Sequence, residues 1–190
     1  MSSYFTVVYD ASVLYPAPLR DLLMQLALSD LYRARWTDQI HDEWIRSLLK
    51  KRPDLTLEQL TYTRNLMNSH VRGCLIEDYE QFIPSLTLPD ADDRHVLAAA
   101  IKGEADVIVT MNLRDFPASA LAKFEIEVQH PDDFIVDLIG LKPAAVVEAA
   151  KICRNRLQNP PKSVDEYLDT LVKQQLVNSV SLLRNWWDGL

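Results

Sequence analysis

Cysteine and glycine are scarce in this chain of 190 residues, and each scarcity argues against a class of site. The two cysteines, Cys74 and Cys153, lack the paired spacing of a zinc site, and we expect both to be reduced and buried. Only four glycines occur, and none belongs to a glycine-rich loop of the kind that cradles nucleotide phosphates. The four histidines also lack zinc-ligand spacing. The sequence therefore argues against a disulfide framework, a zinc centre and a phosphate-binding loop.

Long hydrophobic runs and positive charge are also in short supply. No apolar stretch approaches the roughly 18 residues that a membrane-spanning helix needs, and no secretory leader is recognisable, so we expect a cytoplasmic protein without membrane contact. Acidic residues number 27 against 20 lysines and arginines, which gives a formal net charge of −7. This overall charge repels nucleic acid, so any nucleic-acid chemistry requires a local basic patch or bound metal cations.

Apolar runs of strand length alternate with helical patterns in the first 140 residues. The predicted strands are residues 6–10, 32–37, 106–110 and 125–130. The predicted helices are residues 19–28, 38–51, 56–71, 91–103 and 131–140. The third predicted strand is almost wholly apolar, which is typical of a strand buried on both faces of a parallel sheet. This alternation predicts an α/β fold with a parallel sheet flanked by helices.

After Gly140 the alternation stops, and the remaining residues contain no strand-like run. Residues 146–157 have helical spacing, and a capping-box pattern at Ser163 starts another helix. We therefore predict two domains, residues 1–140 and a helical C-terminal extension at residues 141–190. This extension either packs to cover the sheet or complete the core, or forms a partner or dimer surface. The second alternative is motivated by apolar residues near the terminus, namely Leu182, Leu183, Trp186 and Trp187.

Acidic residues fall where an α/β sheet has its ligand crevice. Asp10 ends the first predicted strand, and ligands of open parallel sheets bind beyond the carboxyl ends of the strands. On a helix over residues 91–103, Asp93 shares a stripe with apolar residues, whereas His95 falls well off that stripe. A carboxylate on an apolar face is costly unless it is paired, hydrogen-bonded or bound to a metal. The alternatives are that Asp10 only caps a turn through Ser12, and that Asp93 only interacts favourably with the helix dipole at the start of its helix.

Further polar groups are expected at the same crevice. Thr110 and Asn112 follow the third predicted strand closely, and Asp115 comes a few residues later. Asp42 and Glu43 are adjacent on the second predicted helix and lie about 100° apart, so at most one faces a given site, and the spacing does not choose between them. Carboxylates that converge without counter-charge repel each other, which favours a Mg²⁺ or Mn²⁺ site. Such cations activate water and stabilise phosphoryl oxygens, so phosphodiester hydrolysis is the expected reaction.

Four stretches together resemble the PIN-domain ribonucleases, particularly the toxins of VapBC-type toxin–antitoxin pairs. These stretches occur in the family's order within residues 5–135 and read VVYDASVLYP, IHDEWIRSLL, LPDADDRHVLAAAI and DVIVTMNLRDFP. By position in these stretches, the resemblance implies three catalytic acids that bind the metal: Asp10, Glu43 and Asp93. It implies Asn112, or alternatively Asp115, at the fourth metal-binding position. It also implies two hydroxyl residues close to the site, Ser12 and Thr110.

The resemblance implies a metal-dependent endoribonuclease that uses Mg²⁺ or Mn²⁺. Its implied partners are an RNA substrate and an antitoxin protein, with a homodimer as a further assembly. Arg46, Arg94 and Arg114 lie beside the motif residues and are candidate phosphate contacts. Asn112 in place of an acid leaves open a binding protein with a degenerate site. A nuclease for RNA processing or DNA flaps also stays open, because no sequence feature reads bases.

Overall fold

The computed structural model describes residues 5–189, with side chains up to residue 186, and contains a four-stranded parallel sheet. The strands are β1 (Thr6–Tyr9), β2 (Arg33–Arg35), β3 (Val107–Val109) and β4 (Glu127–Gln129). They lie in the order β2-β1-β3-β4, and every neighbouring pair runs parallel. The predicted α/β class with a parallel sheet is therefore confirmed.

Helices occupy much of the remaining described chain and belong to two compact units. They are α1 (Ala11–Leu14), α2 (Ala17–Ala27), α3 (Asp38–Lys51), α4 (Leu57–His70), α5 (Arg94–Lys102), α6 (Ala118–Leu121), α7 (Pro131–Leu141), α8 (Pro143–Arg156), α9 (Val164–Lys173) and α10 (Val177–Leu183). One unit contains the chain up to Tyr15 together with residues 32–130, and the other contains residues 16–31 and the chain from Pro131 onward. The predicted division into a domain at residues 1–140 and a helical extension at residues 141–190 stays a prediction.

The two central strands of the sheet are buried along their whole length. They are rich in valine and isoleucine, whose branched side chains suit a pleated surface that is covered on both faces. Tyr9 of β1 pairs with Val109 of β3, so the carboxyl ends of these strands lie side by side. The N–H group of Asp10 continues this ladder by donating to the carbonyl of Val109 at 3.1 Å. The register thus brings Asp10 next to Thr110 at the edge where the sequence predicts a site.

Helix α5 begins later than predicted and is buried on all sides near its start. The side chain of Asp90 accepts a backbone N–H group two residues later at 2.9 Å, and regular helix begins only at Arg94. Asp93 therefore occupies the N-cap position instead of the helix body. Residues 95–100 are all buried, so His95 is buried although it falls off the predicted apolar stripe. Because this part of the helix is covered on all sides, an apolar stripe cannot indicate which of its residues face solvent.

The regular secondary-structure elements that the structure describes in the second unit are all helices. Helix α2 packs against α8, and α10 packs against α7 and α9, around buried apolar side chains such as Leu26, Val146 and Leu168. The predicted capping box at Ser163 is present and opens α9. None of the helices in the described part of the chain is both long and apolar enough to span a bilayer.

The apolar residues near the terminus are only partly exposed. Leu183 is fully buried and Leu182 is partly buried, whereas Trp186 is 46% exposed. The side chain of Trp187 lies outside the described residues. A partner or dimer surface in this region therefore stays a prediction, with Trp186 as the described residue that could contribute most area to it.

A buried aspartate from α7 caps α10 in the second unit. Leu176 precedes α10, and its side chain has no hydrogen-bond acceptor for the first turn. Asp132 instead accepts the N–H groups of Asn178 and Ser179 at 2.9 and 2.8 Å, and the Ser179 hydroxyl at 2.6 Å. Burial tends to raise the pKa of Asp132, but these hydrogen bonds outweigh it and leave the pKa below its usual value. A carboxylate thus joins the first turns of two helices.

We expect Asp132→Ala to lower the free energy of unfolding by about 1 to 3 kcal/mol, because two N–H groups of a helix start lose their acceptor. Since folding lowers the pKa of Asp132, its contribution is complete above the unfolded value of 3.8 and is lost as the pH falls through the folded value. Urea unfolding at neutral and progressively acidic pH measures both effects. Asp133→Ala, at the exposed neighbouring position, is the matched control. Equal losses in the two variants would contradict the cap.

Candidate active site

A cavity of about 840 Å³ opens at the carboxyl ends of β1 and β3. Its walls come from the segments that follow these two strands, from α3, and from the turn that leads into α5. The cavity brings together the three predicted catalytic acids, Asp10, Glu43 and Asp93, although they lie far apart in the sequence. Asn112 and Ser12 also line it.

Asp10 is held in place by hydrogen bonds on both carboxylate oxygens. It is only 4% exposed. Its Oδ1 accepts the N–H group of Ala11 at 2.7 Å, and its Oδ2 accepts the hydroxyls of Ser12 and Thr110 at 2.6 and 2.8 Å. Both hydroxyls accept backbone N–H groups from the two residues after Thr110, each at 3.0 Å, which directs the hydroxyl protons to Asp10. These bonds occupy three of the roughly four acceptor directions of a carboxylate and leave one on Oδ1.

The carboxyl group of Asp93 is strongly perturbed by its surroundings. Its pKa is raised from 3.8 to about 7, mainly by burial and then by the negative charges of Asp10, Asp115 and Asp90, while His95 acts in the opposite direction. Although Asp93 is at the N-cap of α5, its side chain makes no capping hydrogen bond. The carboxylate oxygens of Asp93 therefore accept no capping hydrogen bond from the helix backbone. A nearby cation would stabilise the ionised form of this group.

The structure separates the adjacent acids Asp42 and Glu43. Glu43 lines the cavity, whereas Asp42 is exposed and does not. The Oε1 atom of Glu43 lies 2.7 Å from Nε2 of His95, whose side chain is 2% exposed against 29% for Glu43. The two groups touch, but the ring N–H group is not aligned for a hydrogen bond. A buried histidine of α5 therefore contacts the carboxylate that α3 contributes.

Asn112 and Asp115, the two candidates for the fourth metal-binding position, occupy different places. Asn112 lines the cavity directly after β3. Asp115 ends the short 3-10 turn Leu113–Asp115 and does not line the cavity, yet its charge reaches Asp93 and raises the pKa of that group. Asn112 is thus the candidate whose side chain lies in the cavity, whereas Asp115 acts on the cavity through its charge.

Only one of the three candidate phosphate contacts lines the cavity. Arg46 does so from α3, one turn after Glu43. The guanidinium of Arg94 donates through Nε to the carbonyl of Ala91 at 2.8 Å, and Arg114 is exposed beyond the cavity. The structure therefore distinguishes Arg46 from the other two arginines.

The donor chemistry fits a hard divalent cation, although the side chains do not form a closed cage. Within residues 5–186, no three histidine, cysteine, aspartate or glutamate side chains are grouped closely enough to hold a metal by themselves. Mg²⁺ keeps several waters and needs only one or two direct carboxylate ligands. The cavity supplies carboxylate and amide oxygens, and the pKa of Asp93 is raised by burial and then by the negative charges around it. Asp10, Glu43 and Asp93 are thus suited to hold such an ion, directly or through water.

Sequence reasoning missed three side chains at this site, namely His95, Lys50 and Lys51. Lys50 lies seven residues after Glu43, which puts both on the same face of a helix. Once Glu43 is assigned to the site, this spacing therefore predicts that Lys50 lies near it. His95 precedes an uninterrupted apolar run at residues 96–101. An apolar run without a polar side indicates a helix that is buried all round, and with it a buried His95.

We expect Asp93→Asn to stabilise the metal-free protein more at pH 8 than at pH 4. The folded state raises the pKa of Asp93, so it binds more protons than the unfolded state between about pH 4 and 7, and stability falls as the pH rises through this window. The substitution removes that dependence. Thermal unfolding in EDTA across this pH range measures it, with Asp92→Asn, an exposed acid in the same cavity, as the control. The same pH dependence in the wild type and in Asp93→Asn would contradict the assignment.

Known protein families match the chain in two regions. A family model described as PIN domain matches residues 6–114, which is more than half of the chain, and one described as VapC50 C-terminal domain matches residues 131–185. Among curated proteins, "Putative ribonuclease VapC50" of Mycobacterium tuberculosis is 42% identical over 82 residues, 43% of this chain and 48% of that relative. The match thus spans about half the length of this relative. No solved structure matches the chain significantly. The resemblance seen in the motifs is confirmed, and the chain belongs to the PIN-domain family.

Proposed function

We propose that this protein is a divalent-metal-dependent endoribonuclease of the cytoplasm and the toxin component of a toxin–antitoxin pair. The observation that carries the proposal is the convergence of Asp10, Glu43 and Asp93 in one cavity at the carboxyl ends of the central strands. Membership of the PIN-domain family and the partial similarity to a protein named as a ribonuclease support it. The match of residues 131–185 to the VapC50 C-terminal domain supports the toxin role and, with it, an antitoxin protein as partner.

In this proposal the three acids divide the work according to their surroundings. Asp10 presents its one free acceptor direction in a fixed orientation, because Ser12 and Thr110 hold its other oxygen. Glu43 and Asp93 complete the oxygen ligands, with Asn112 as the proposed fourth ligand and Asp115 as its alternative. Bound Mg²⁺ or Mn²⁺ would lower the pKa of a coordinated water and stabilise the phosphoryl oxygens of the substrate. The protein itself places the scissile phosphate beside these carboxylates and supplies positively charged side chains for the neighbouring phosphates.

Arg46 is the proposed contact for a phosphate next to the scissile one. It lies one turn from Glu43 and lines the same cavity. An arginine can hold a phosphate through two parallel hydrogen bonds, which fixes orientation as well as charge. Arg94 and Arg114 stay candidates for phosphates outside the cavity.

We expect the wild type to cleave RNA in Mg²⁺ or Mn²⁺, and EDTA to abolish the cleavage. Asp10→Asn, Glu43→Gln and Asp93→Asn should each lower the rate by about 100-fold or more, the scale of loss when a group that stabilises a transition state is removed. The measurement is the appearance of new 5′ and 3′ ends in a pool of unstructured and structured RNAs. Asp42→Asn is the matched control for Glu43→Gln, since it removes an adjacent carboxylate outside the cavity.

Other results would favour the alternatives. RNA binding without cleavage, with no Mn²⁺ bound at millimolar concentration, would favour a binding protein whose site is degenerate at Asn112. Cleavage of DNA flaps in preference to RNA would keep the chemistry and reject the ribonuclease. Equal losses in Asp42→Asn and Glu43→Gln would remove Glu43 from the site.

A further inference from the structure

The positive charges that line the cavity all come from one helix. Among the described residues of its lining, the arginine and lysine side chains are Arg46, Lys50 and Lys51, in the last two turns of α3. The other charged side chains of the lining are acids, which directly follow β1, directly precede α5 or belong to α3 itself. The cavity therefore has an acidic end and a basic end, joined by α3.

The spacing along α3 arranges these charges in a line. Arg46 and Lys50 follow Glu43 by three and seven residues, which puts all three on one face of a helix. The rise from Glu43 to Lys50 is about 10 Å at 1.5 Å per residue, and Arg46 lies between them. Lys51 is turned to the side, where its Nζ atom lies 5.5 Å from the ring centre of Tyr15, which also lines the cavity. We call Arg46, Lys50 and Lys51 the basic track.

The overall charge of the protein makes this local arrangement informative. At a net charge of −7, the general field opposes a polyanion, so binding must depend on local positive groups. Lysines in the last turn of a helix also favour the helix dipole, and that effect alone could place Lys50 and Lys51 there. The dipole does not account for Arg46, which is a turn earlier, or for the convergence of all three side chains on the cavity that holds the acids.

We propose that a single RNA strand leaves the carboxylates along α3, with its backbone phosphates on Arg46, Lys50 and Lys51. The identity of the strand as RNA rests on the proposed function. A track on one side of a cavity can neutralise the phosphates of one strand, whereas a duplex brings a second row of phosphates against an acidic protein. The inference therefore specifies unstructured RNA, held by its backbone and without base preference along the track.

The test is the binding of a fluorescent, unstructured 12-nucleotide RNA by anisotropy, in the Asp93→Asn protein with Mg²⁺. A plot of log affinity against log salt concentration has a negative slope, and each lost phosphate contact should reduce its magnitude by about 0.7. At 0.1 M salt this corresponds to an affinity about fivefold weaker. We expect this change for Arg46→Ala and for Lys50→Ala, and a larger one for the charge reversal Lys50→Glu. Lys102→Glu is the matched control, because it changes the net charge equally at an exposed position outside the cavity.

Three results would overturn the inference. One is an unchanged salt slope in Arg46→Ala and Lys50→Ala. Another is an equal loss of affinity in Lys102→Glu and Lys50→Glu, which would reduce the effect to overall charge. The third is equal or tighter binding of a hairpin duplex. If the track variants weaken RNA binding while the wild type cleaves nothing, the proposed nuclease function fails and the track stands.

The contact between His95 and Glu43 carries a second, independent inference. Nδ1 of His95 is buried and has no hydrogen-bond partner among the described residues, while Nε2 lies 2.7 Å from the Glu43 carboxylate. A buried polar group normally finds a partner, because leaving it without one is costly. Glu43 lies against Nε2 of His95 and is exposed enough to turn its carboxylate into line.

We infer that His95 is a positioning residue that carries its ring proton on Nε2 and holds one oxygen of Glu43. The other oxygen then faces the cavity. Since His95 follows Asp93 by two residues, the contact also ties the carboxylate of α3 to the helix start that carries Asp93. This arrangement resembles the outer ligands of metal sites, whose removal typically lowers metal affinity by about 10-fold to 100-fold.

Two conservative substitutions test this role. Glutamine can place an N–H group where Nε2 lies, and asparagine, which is shorter, cannot. We expect His95→Gln to retain its affinity for Mn²⁺, and His95→Asn to lower that affinity by about 10-fold or more. In a protein that already carries Glu43→Gln, adding His95→Asn should lower the affinity no further. Independently of any metal, ¹⁵N spectra of the imidazole should show the proton on Nε2 and a shift of that signal in Glu43→Gln. Equal effects of asparagine and glutamine, or a proton on Nδ1, would overturn the inference.

Discussion

Repulsion between carboxylates that share one cavity is the constraint on which the rest of this site depends. Burial is the largest cause of the raised pKa of Asp93, and Asp10 lies near enough for its negative charge to raise that pKa further. The surrounding structure compensates each of the three negative charges to a different extent. Hydroxyls and an N–H group surround Asp10, His95 contacts Glu43, and Asp93 keeps its perturbed pKa. The least compensated acid is therefore the one with most to gain from a cation.

Helix α3 must be held firmly for this arrangement to work, and a buried polar network does so. The indole N–H groups of Trp36 and Trp44 donate to Asn68 and to Nδ1 of His41 at 2.8 and 3.0 Å. Because Nδ1 accepts, the ring proton of His41 is on Nε2, which lies 2.9 Å from the Asn68 oxygen. Burial lowers the pKa of His41 and favours this neutral form. The network joins α3 and α4 to the end of β2, so the face that carries Glu43 has little freedom to rotate.

The sequence predicts the elements of this site better than their surroundings. Alternating strand and helix patterns give the parallel sheet, and the register of β1 and β3 brings Asp10 beside Thr110 as expected. The choice between Asp42 and Glu43 came from family resemblance, since helical spacing leaves it open. The burial of His95 was missed because a stripe on a helical wheel assumes a solvent face. The uninterrupted apolar run at residues 96–101 indicates that this helix has no such face, although the run does not show which elements cover the helix.

The order of charges along α3 suits its stability as well as the proposed function. Asp38 lies in the first turn, and Lys50 and Lys51 lie in the last, which is the distribution that the helix dipole favours. The same order puts cations on the side of the cavity away from the carboxylates. The acids at the sheet edge have no such double role, because their mutual repulsion costs stability when no cation is bound. Function therefore opposes stability where the acids meet, whereas along α3 the two coincide. Replacing Lys50 or Lys51 should weaken the proposed RNA binding and also cost the stability, about 0.3 to 1 kcal/mol, that a cation at the end of a helix supplies.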